Sequence, residues 1–180
     1  MPRNHIHEGD NGYTGILGEG KVPKYHPRIE AIGTVDEASA ALGLARAVCQ
    51  SEFTAQILLV VQRDLYHLMS EISATPENAE RFRVINEEHV AWLEAQMDKT
   101  EVEMPNDFIL PGDSIAGAAL SLARTVIRRA ERQVARLFLE GEIENNHLLS
   151  YLNRLSSLCF LLELLENREA GKSKPSLAKE

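Results

Sequence analysis

The chain is short of basic charge. Its 19 lysines and arginines face 27 aspartates and glutamates, a net charge of −8. A nucleic-acid binder needs the opposite surplus over a broad face, because affinity for a phosphate polymer rests on cationic side chains. Cysteine is nearly absent: Cys49 and Cys159 stand far apart, in no metal or redox spacing and within apolar runs. They are expected to be small buried hydrophobes in a reducing compartment. No apolar run approaches the ~18 residues of a membrane span, and Met1-Pro2-Arg3-Asn4-His5 does not open a signal peptide. β-branched alternating runs are missing too, which argues against strands. These absences predict a cytoplasmic protein with no nucleic-acid partner and no membrane. At 180 residues, 44% of them hydrophobic, the chain is long enough for one self-sufficient core.

Proline is confined as well. None occurs in residues 28–75 or 112–174. A proline inside a helix costs about 3 kcal/mol, so both stretches permit long helices. Helical periodicity fills them. Ile57, Val61, Leu65, Leu68 and Ile72 form one stripe, Leu122, Val126, Ala130, Val134 and Leu137 a second, and Leu148, Leu152, Leu155, Cys159 and Leu162 a third. Val90, Leu93 and Met97 mark a shorter helix with Asn86 as N-cap, and Pro27 begins the first. Pro111-Gly112-Asp113-Ser114 offers a capping oxygen, and Gly141 a left-handed stop. The predicted helices are 28–48, 54–74, 86–99, 114–140 and 146–167. They make an all-α, five-helix up-and-down bundle over residues 27–168. Residues 1–26 hold five of the eleven glycines and form a glycine-rich N-terminal segment; 169–180 is expected to be a disordered tail.

Several features invite a chemical reading. Gly15-Ile16-Leu17-Gly18-Glu19-Gly20-Lys21 matches the start of a P-loop, but Val22 stands where the Mg²⁺-binding hydroxyl belongs, and no strand precedes it. What survives is a glycine-rich stretch with Lys21 and Lys24, able to bring backbone N–H groups to a phosphate chain. None of the six histidines completes the Glu-x-x-His pairs of a di-iron bundle, so ferritin-like metal chemistry is disfavoured. Arg124, Arg128, Arg132 and Arg136 recur at every fourth residue, with Arg129 beside them and Glu131 the one acid in that window. Like charges at this spacing destabilise a helix by roughly a few tenths of a kcal/mol per pair, and arginine favours bidentate contacts to phosphate or carboxylate. A small polyanionic ligand is the inference, set against the plainer reading of a solvated face. Asp36-Glu37 lies among apolar and small residues, so Asp36 is expected to be buried and paired with an arginine of the stripe. That pair is either structural or part of a site. Phe108 precedes Pro111-Gly112 and by position reads as a hydrophobic staple.

Together these segments resemble the PduO-type ATP:corrinoid adenosyltransferases. The matching stretches are Gly9-Asp10-Asn11-Gly12, Pro27-Arg28-Ile29-Glu30-Ala31 running into Gly33-Thr34-Val35-Asp36-Glu37, and Phe108-Ile109-Leu110-Pro111-Gly112. Ala123-Arg124-Thr125-Val126-Ile127-Arg128-Arg129-Ala130-Glu131-Arg132 and Tyr151-Leu152-Asn153-Arg154-Leu155-Ser156 complete the set. The resemblance implies a homotrimer with ATP between neighbouring subunits. It implies transfer of the 5′-deoxyadenosyl group of ATP to the cobalt of cob(I)alamin, giving adenosylcobalamin and triphosphate. The corrinoid is itself the nucleophile, so no protein nucleophile is required. By the family pattern Lys24, Arg128, Arg129 and Glu131 belong to the ATP and Mg²⁺ site, Glu131 on the metal side, with Gly9, Asp10 and Gly12 in the same N-terminal segment and Asn153 nearby. Arg124 pairs with Asp36 across the subunit interface. Phe108 occupies the lower face of the corrin, a reading that now outweighs the staple. A cobalamin reductase and an adenosylcobalamin-dependent enzyme are the implied partners.

The chain departs from the family in three places. Ile6-His7-Glu8-Gly9-Asp10 stands where the family typically has Thr-Lys/Arg-Thr-Gly-Asp, Asp113 replaces the second glycine of Pro-Gly-Gly, and Ser157 replaces an aspartate. Glu8 sets a carboxylate beside the expected triphosphate, a repulsive neighbour unless Mg²⁺ intervenes. The alternative reading is therefore a non-catalytic relative that binds corrinoid or nucleotide as a carrier or sensor.

Overall fold

The computed structural model describes residues 9–18 and 20–179. The Ile6-His7-Glu8 departure and Glu19 lie outside the described residues. A two-stranded antiparallel hairpin, β1 (Tyr13–Gly15) and β2 (Lys21–Pro23), precedes the helices α1 (Pro27–Val48), α2 (Glu52–Ser73), α3 (Ala79–Phe82), α4 (Glu87–Lys99), α5 (Ile115–Leu139) and α6 (His147–Glu169). The five long helices start and stop within two residues of the predicted ones, while α3 is a single turn that no periodicity announced.

Local chemistry explains the boundaries. Pro27 occupies the first turn of α1, Ser51 Oγ accepts from Thr54 N at the head of α2, and Asn86 Oδ1 accepts from Glu88 and His89 N at the head of α4. Ser114, rather than Asp113, caps α5, its hydroxyl accepting from Gly117 N at 2.9 Å. Gly141, at φ 74°, ends that helix in the left-handed region open to glycine.

The absence of strands was the first expectation overturned. Each strand has only three residues, too short for alternation to register. The P-loop-like run starts on β1 and ends on β2, with Gly15 paired to Lys21. Leu17 then docks the hairpin onto the end of α2, donating to Ser73 O at 2.8 Å and accepting from Thr75 N at 3.0 Å.

In the bundle α5 lies against both α1 and α6, α2 against α1, and α4 against α6. The core is the three predicted stripes with Ala31, Val35, Ala38 and Leu42 of α1, except that Leu122, expected to head the second stripe, is exposed. Arg28 is buried, and its guanidinium donates to Ile72 O at 2.9 Å, Ala74 O at 3.0 Å, the Glu142 carboxylate at 3.1 Å and Glu142 O. It closes the C-terminus of α2 and ties it to the α5–α6 connection. Tyr151 donates to Asp64 at 2.7 Å, and burial followed by that carboxylate's charge raises the phenol well above its usual range. Glu166 accepts from Gln50 N at 2.7 Å and Ser51 N at 3.2 Å, pinning the α1–α2 connection to α6.

Three further expectations change. By length and composition α6 is long and apolar enough to cross a membrane, contrary to the sequence reading; it is the core helix, mostly buried against α5 and α4. Residues 171–179 are not loose: Leu110 N donates to Ser176 O and Ala178 N to Phe108 O, both at 2.8 Å. Asp113 fastens this tail, accepting from Ser176 N at 2.9 Å and Ser176 Oγ at 2.7 Å. Finally, Cys159 is fully buried, its thiol pushed up to about 12 by desolvation, whereas Cys49 is only half-buried, with Sγ donating to Arg46 O.

Candidate functional site

Two of the five arginines on α5 are spoken for. Arg129 forms an ion pair with Glu37 of α1, and Arg136 with Glu140 at 2.9 Å. Arg132 Nη1 donates to Arg128 O at 3.0 Å. Arg124 and Arg128 form no ion pair with any described residue. They stand one turn apart, roughly 6 Å along the axis, and line a hollow of about 350 Å³ with Met97, Met104, Ser157 and Phe160.

Arg124 also lines a second hollow of about 330 Å³, whose wall includes Met104, Phe108, Phe160 and Glu163. The two spaces share Met104, Arg124 and Phe160, so an apolar recess continues into a cationic one. Phe108 is 68% exposed beside it while its neighbour Ile109 is buried, which rules out the staple. The strand-like contact with residues 176–178 holds the Phe108 backbone and leaves the ring at the mouth.

Asp36 corrects the sequence reading. It is exposed, because Val35 and Ala38 take the inward positions of that turn, and it pairs with no described residue. Buried Arg124 Nε likewise has no hydrogen-bond partner. The expected pair does not form within one chain.

Glu131 and Asn153 do meet. Asn153 Nδ2 donates to Glu131 Oε1 at 2.9 Å, and Arg154, anchored on Glu94 at 2.7 Å, donates to Asn153 Oδ1 at 3.0 Å. This chain of contacts orients one half-exposed carboxylate on the α5 surface. Among the described residues no cluster of three metal-ligating side chains forms. A magnesium ion asks for less, since it is held through one or two carboxylates plus the phosphates of its nucleotide. Glu131 fits that donor set.

Lys24 belongs to a separate group. Lys24 N donates to Gly12 O at 2.9 Å and Gly12 N to Gly9 O at 3.0 Å. Gly9 has φ 99°, and a side chain there would meet the Lys24 Cε and Nζ atoms at 3.1 Å. Asp10 sits in the same turn. No contact among the described residues joins Lys24 to Arg128; within one chain the site is in two pieces.

Sequence reasoning passed over Met104, Phe160 and Glu163. Only Glu163 left a signal, an acid inside the apolar run Leu161-Leu162-Glu163-Leu164-Leu165. A third hollow, about 200 Å³, lies near the α2–α3 and α5–α6 connections. Four glutamates, Glu71, Glu80, Glu142 and Glu144, face only Arg28 and Arg83 there. It would repel a phosphate chain.

The family model described as cobalamin adenosyltransferase matches residues 5–166. The corrinoid adenosyltransferase PduO of Citrobacter freundii is 38% identical over 168 residues, covering 92% of this chain and 50% of that protein. The chain thus spans about half the length of this relative and of its Salmonella typhimurium counterpart. The corrinoid adenosyltransferase of Bacillus subtilis is 36% identical over 170 residues, covering 91% of this chain and 86% of that one. Among solved structures, a variant PduO-type ATP:corrinoid adenosyltransferase from Lactobacillus reuteri complexed with cobalamin and ATP superposes with a TM-score of 0.88. It is 29% identical, over 99% of this chain and 100% of that chain. Another variant of that protein, complexed with ATP, gives 0.85 at 29% identity over 96% and 98% of the two chains.

Proposed function

Since the chain belongs to the cobalamin adenosyltransferase family, we propose that it transfers the 5′-deoxyadenosyl group of ATP to the cobalt of cob(I)alamin. The observation that carries this reading is the pair Arg124 and Arg128, free of ion pairs among the described residues, on a recess that runs into an apolar space beside exposed Phe108. One end suits a polyphosphate and the other a large apolar ring.

The cobalt attacks the 5′-carbon, the carbon–oxygen bond breaks, and the electron pair leaves with triphosphate. The protein therefore needs no base. Arg128 meets the charge that develops on the leaving triphosphate, a role in which donors already in place cost no reorganisation at the moment of reaction. Phe108 covers the lower face of the corrin and keeps water from it. Lys24, with the Gly9–Gly12 turn, presents a cation and backbone N–H groups to the phosphates. Glu131, oriented by Asn153, would hold Mg²⁺, which neutralises the triphosphate when bound. The two pieces of the site come together between subunits of a homotrimer, where Asp36 of one chain reaches Arg124 of the next. A cytoplasmic setting, a reductase that supplies cob(I)alamin and an enzyme that consumes adenosylcobalamin complete the reading.

The test is purified protein with Mg-ATP and chemically reduced cob(I)alamin, following loss of the cob(I)alamin absorbance. Turnover is expected, and Arg128→Ala is expected to lower it by about 10²-fold or more with the helical circular dichroism unchanged. No wild-type turnover at saturating ATP would sink the proposal. Ser157 on the wall of the arginine hollow, where the family has an aspartate, favours a second reading as a non-catalytic carrier. Calorimetric binding of corrinoid or ATP without turnover would select it.

A further inference from the structure

Two buried polar atoms beside Phe108 lack hydrogen-bond partners, and they are complementary. Arg124 Nε, on α5, is a donor; Glu163 Oε1, on α6, is an acceptor. Glu163 is 1% exposed, yet its side chain lines the same hollow of about 330 Å³ as Arg124 and Phe108. Ser121 donates to the Glu163 carboxyl, which leaves Oε1 free. If Glu163 were only the counter-ion of Arg124, the two would be paired, but no ion pair within 4.0 Å joins them. A buried donor or acceptor left unsatisfied costs about 1–3 kcal/mol. An occupant of the hollow bearing both an acceptor and an N–H donor would satisfy both.

A primary carboxamide has that pairing, and the rim of a corrin carries primary carboxamides, its propionamide chains projecting on the lower face. We propose that Glu163 and Arg124 form a carboxamide-reading subsite, in which Arg124 Nε donates to the amide oxygen and Glu163 Oε1 accepts from the amide nitrogen. Glu163 is thereby a specificity-determining residue that selects the amidated corrinoid over forms with a free carboxylate at that position. The inference rests on the corrin occupying this recess. At neutral pH and above, a carboxylate there would be attracted by Arg124 but repelled by the ionised Glu163. Without Glu163 the hollow loses the carboxylate that opposes the acid, and the preference moves toward it.

The experiment compares cob(I)alamin with its lower-face propionic monocarboxylic acids, made by mild acid hydrolysis and separated. Both the adenosylation rate and the direct binding of each corrinoid to the protein are measured. Wild type is expected to bind the amide about tenfold more tightly than one of the monoacids, and Glu163→Gln to reduce that ratio by about tenfold. Glu163→Ala repeats the test with the acceptor removed. An equal affinity of wild type for the amide and for every monoacid overturns the proposal, and needs no variant. So does a ratio unchanged in both variants that retain helical circular dichroism. Failure of wild type to bind or adenosylate cob(I)alamin itself is a different result, and strikes the functional reading beneath.

Discussion

Arg28 spends its guanidinium on closing carbonyls at the end of α2 and on Glu142, and none of it on ligand. Arg28→Met keeps most of the stem but strands those acceptors, so urea unfolding should show a loss of about 3 kcal/mol. Glu163 supplies a pH signature. Desolvation raises its carboxyl from 4.5 to about 6 in the folded chain, with the Ser121 hydrogen bond and Arg124 pulling it back. The folded state thus binds its proton more tightly than the unfolded state. Stability from this group is full below pH 4.5 and is lost as pH rises through about 6. Glu163→Gln should therefore gain roughly 2 kcal/mol on wild type between pH 4.5 and pH 7, read from denaturant midpoints across that range. Residue types were legible where chemistry confines them, as with the arginine stripe, but the sequence cannot say which arginines are neutralised. Arg129 finds Glu37 only because α1 lies against α5. Asp36 reads as buried because small or apolar residues flank it at 33–35 and at 38–41, while within one chain the phase of the helix turns it outward.

Long helices were legible because a periodic stripe, a capping oxygen and a missing proline all agree, as in α5 from Ser114 to Gly141. Elements held by the backbone alone were not. The hairpin and the segment 171–179 rest on main-chain hydrogen bonds, which composition does not encode. Asp113 is the one side chain that marks the tail, and it resembled a cap. Its carboxyl lies below the usual range because Ser176 N–H and then the Ser176 hydroxyl favour its charged form. The anchor consequently persists above the ordinary aspartate range and is lost as pH falls through this depressed value. Asp113→Ala should speed amide exchange at Leu110 and Ala178 while leaving exchange in α5 and α6 unchanged; equal protection in the variant would mean the backbone pairing holds the tail by itself.

At the scale of the whole molecule, the bundle was readable but the completed site was not, since its two pieces, Lys24 and Arg128, do not meet within one chain. Assembly is the expected remedy. Sedimentation should give a mass three times the 20.1 kDa chain, and Asp36→Lys, which sets like charge against Arg124, should shift it toward the monomer. A wild-type monomer active at nanomolar concentration would contradict this. The pairing of α1 with α5 also has a consequence during synthesis. Sixty-six residues separate the two helices, so α5 leaves the ribosome well after α1 and α2. Until residue 139 emerges, the flank of α1 that α5 will cover is bare apolar surface on a nascent chain, and the arginine face has no scaffold. Truncated chains therefore carry bare apolar surface before they carry any wall of the arginine hollow, and that wall is finished only when α6 follows.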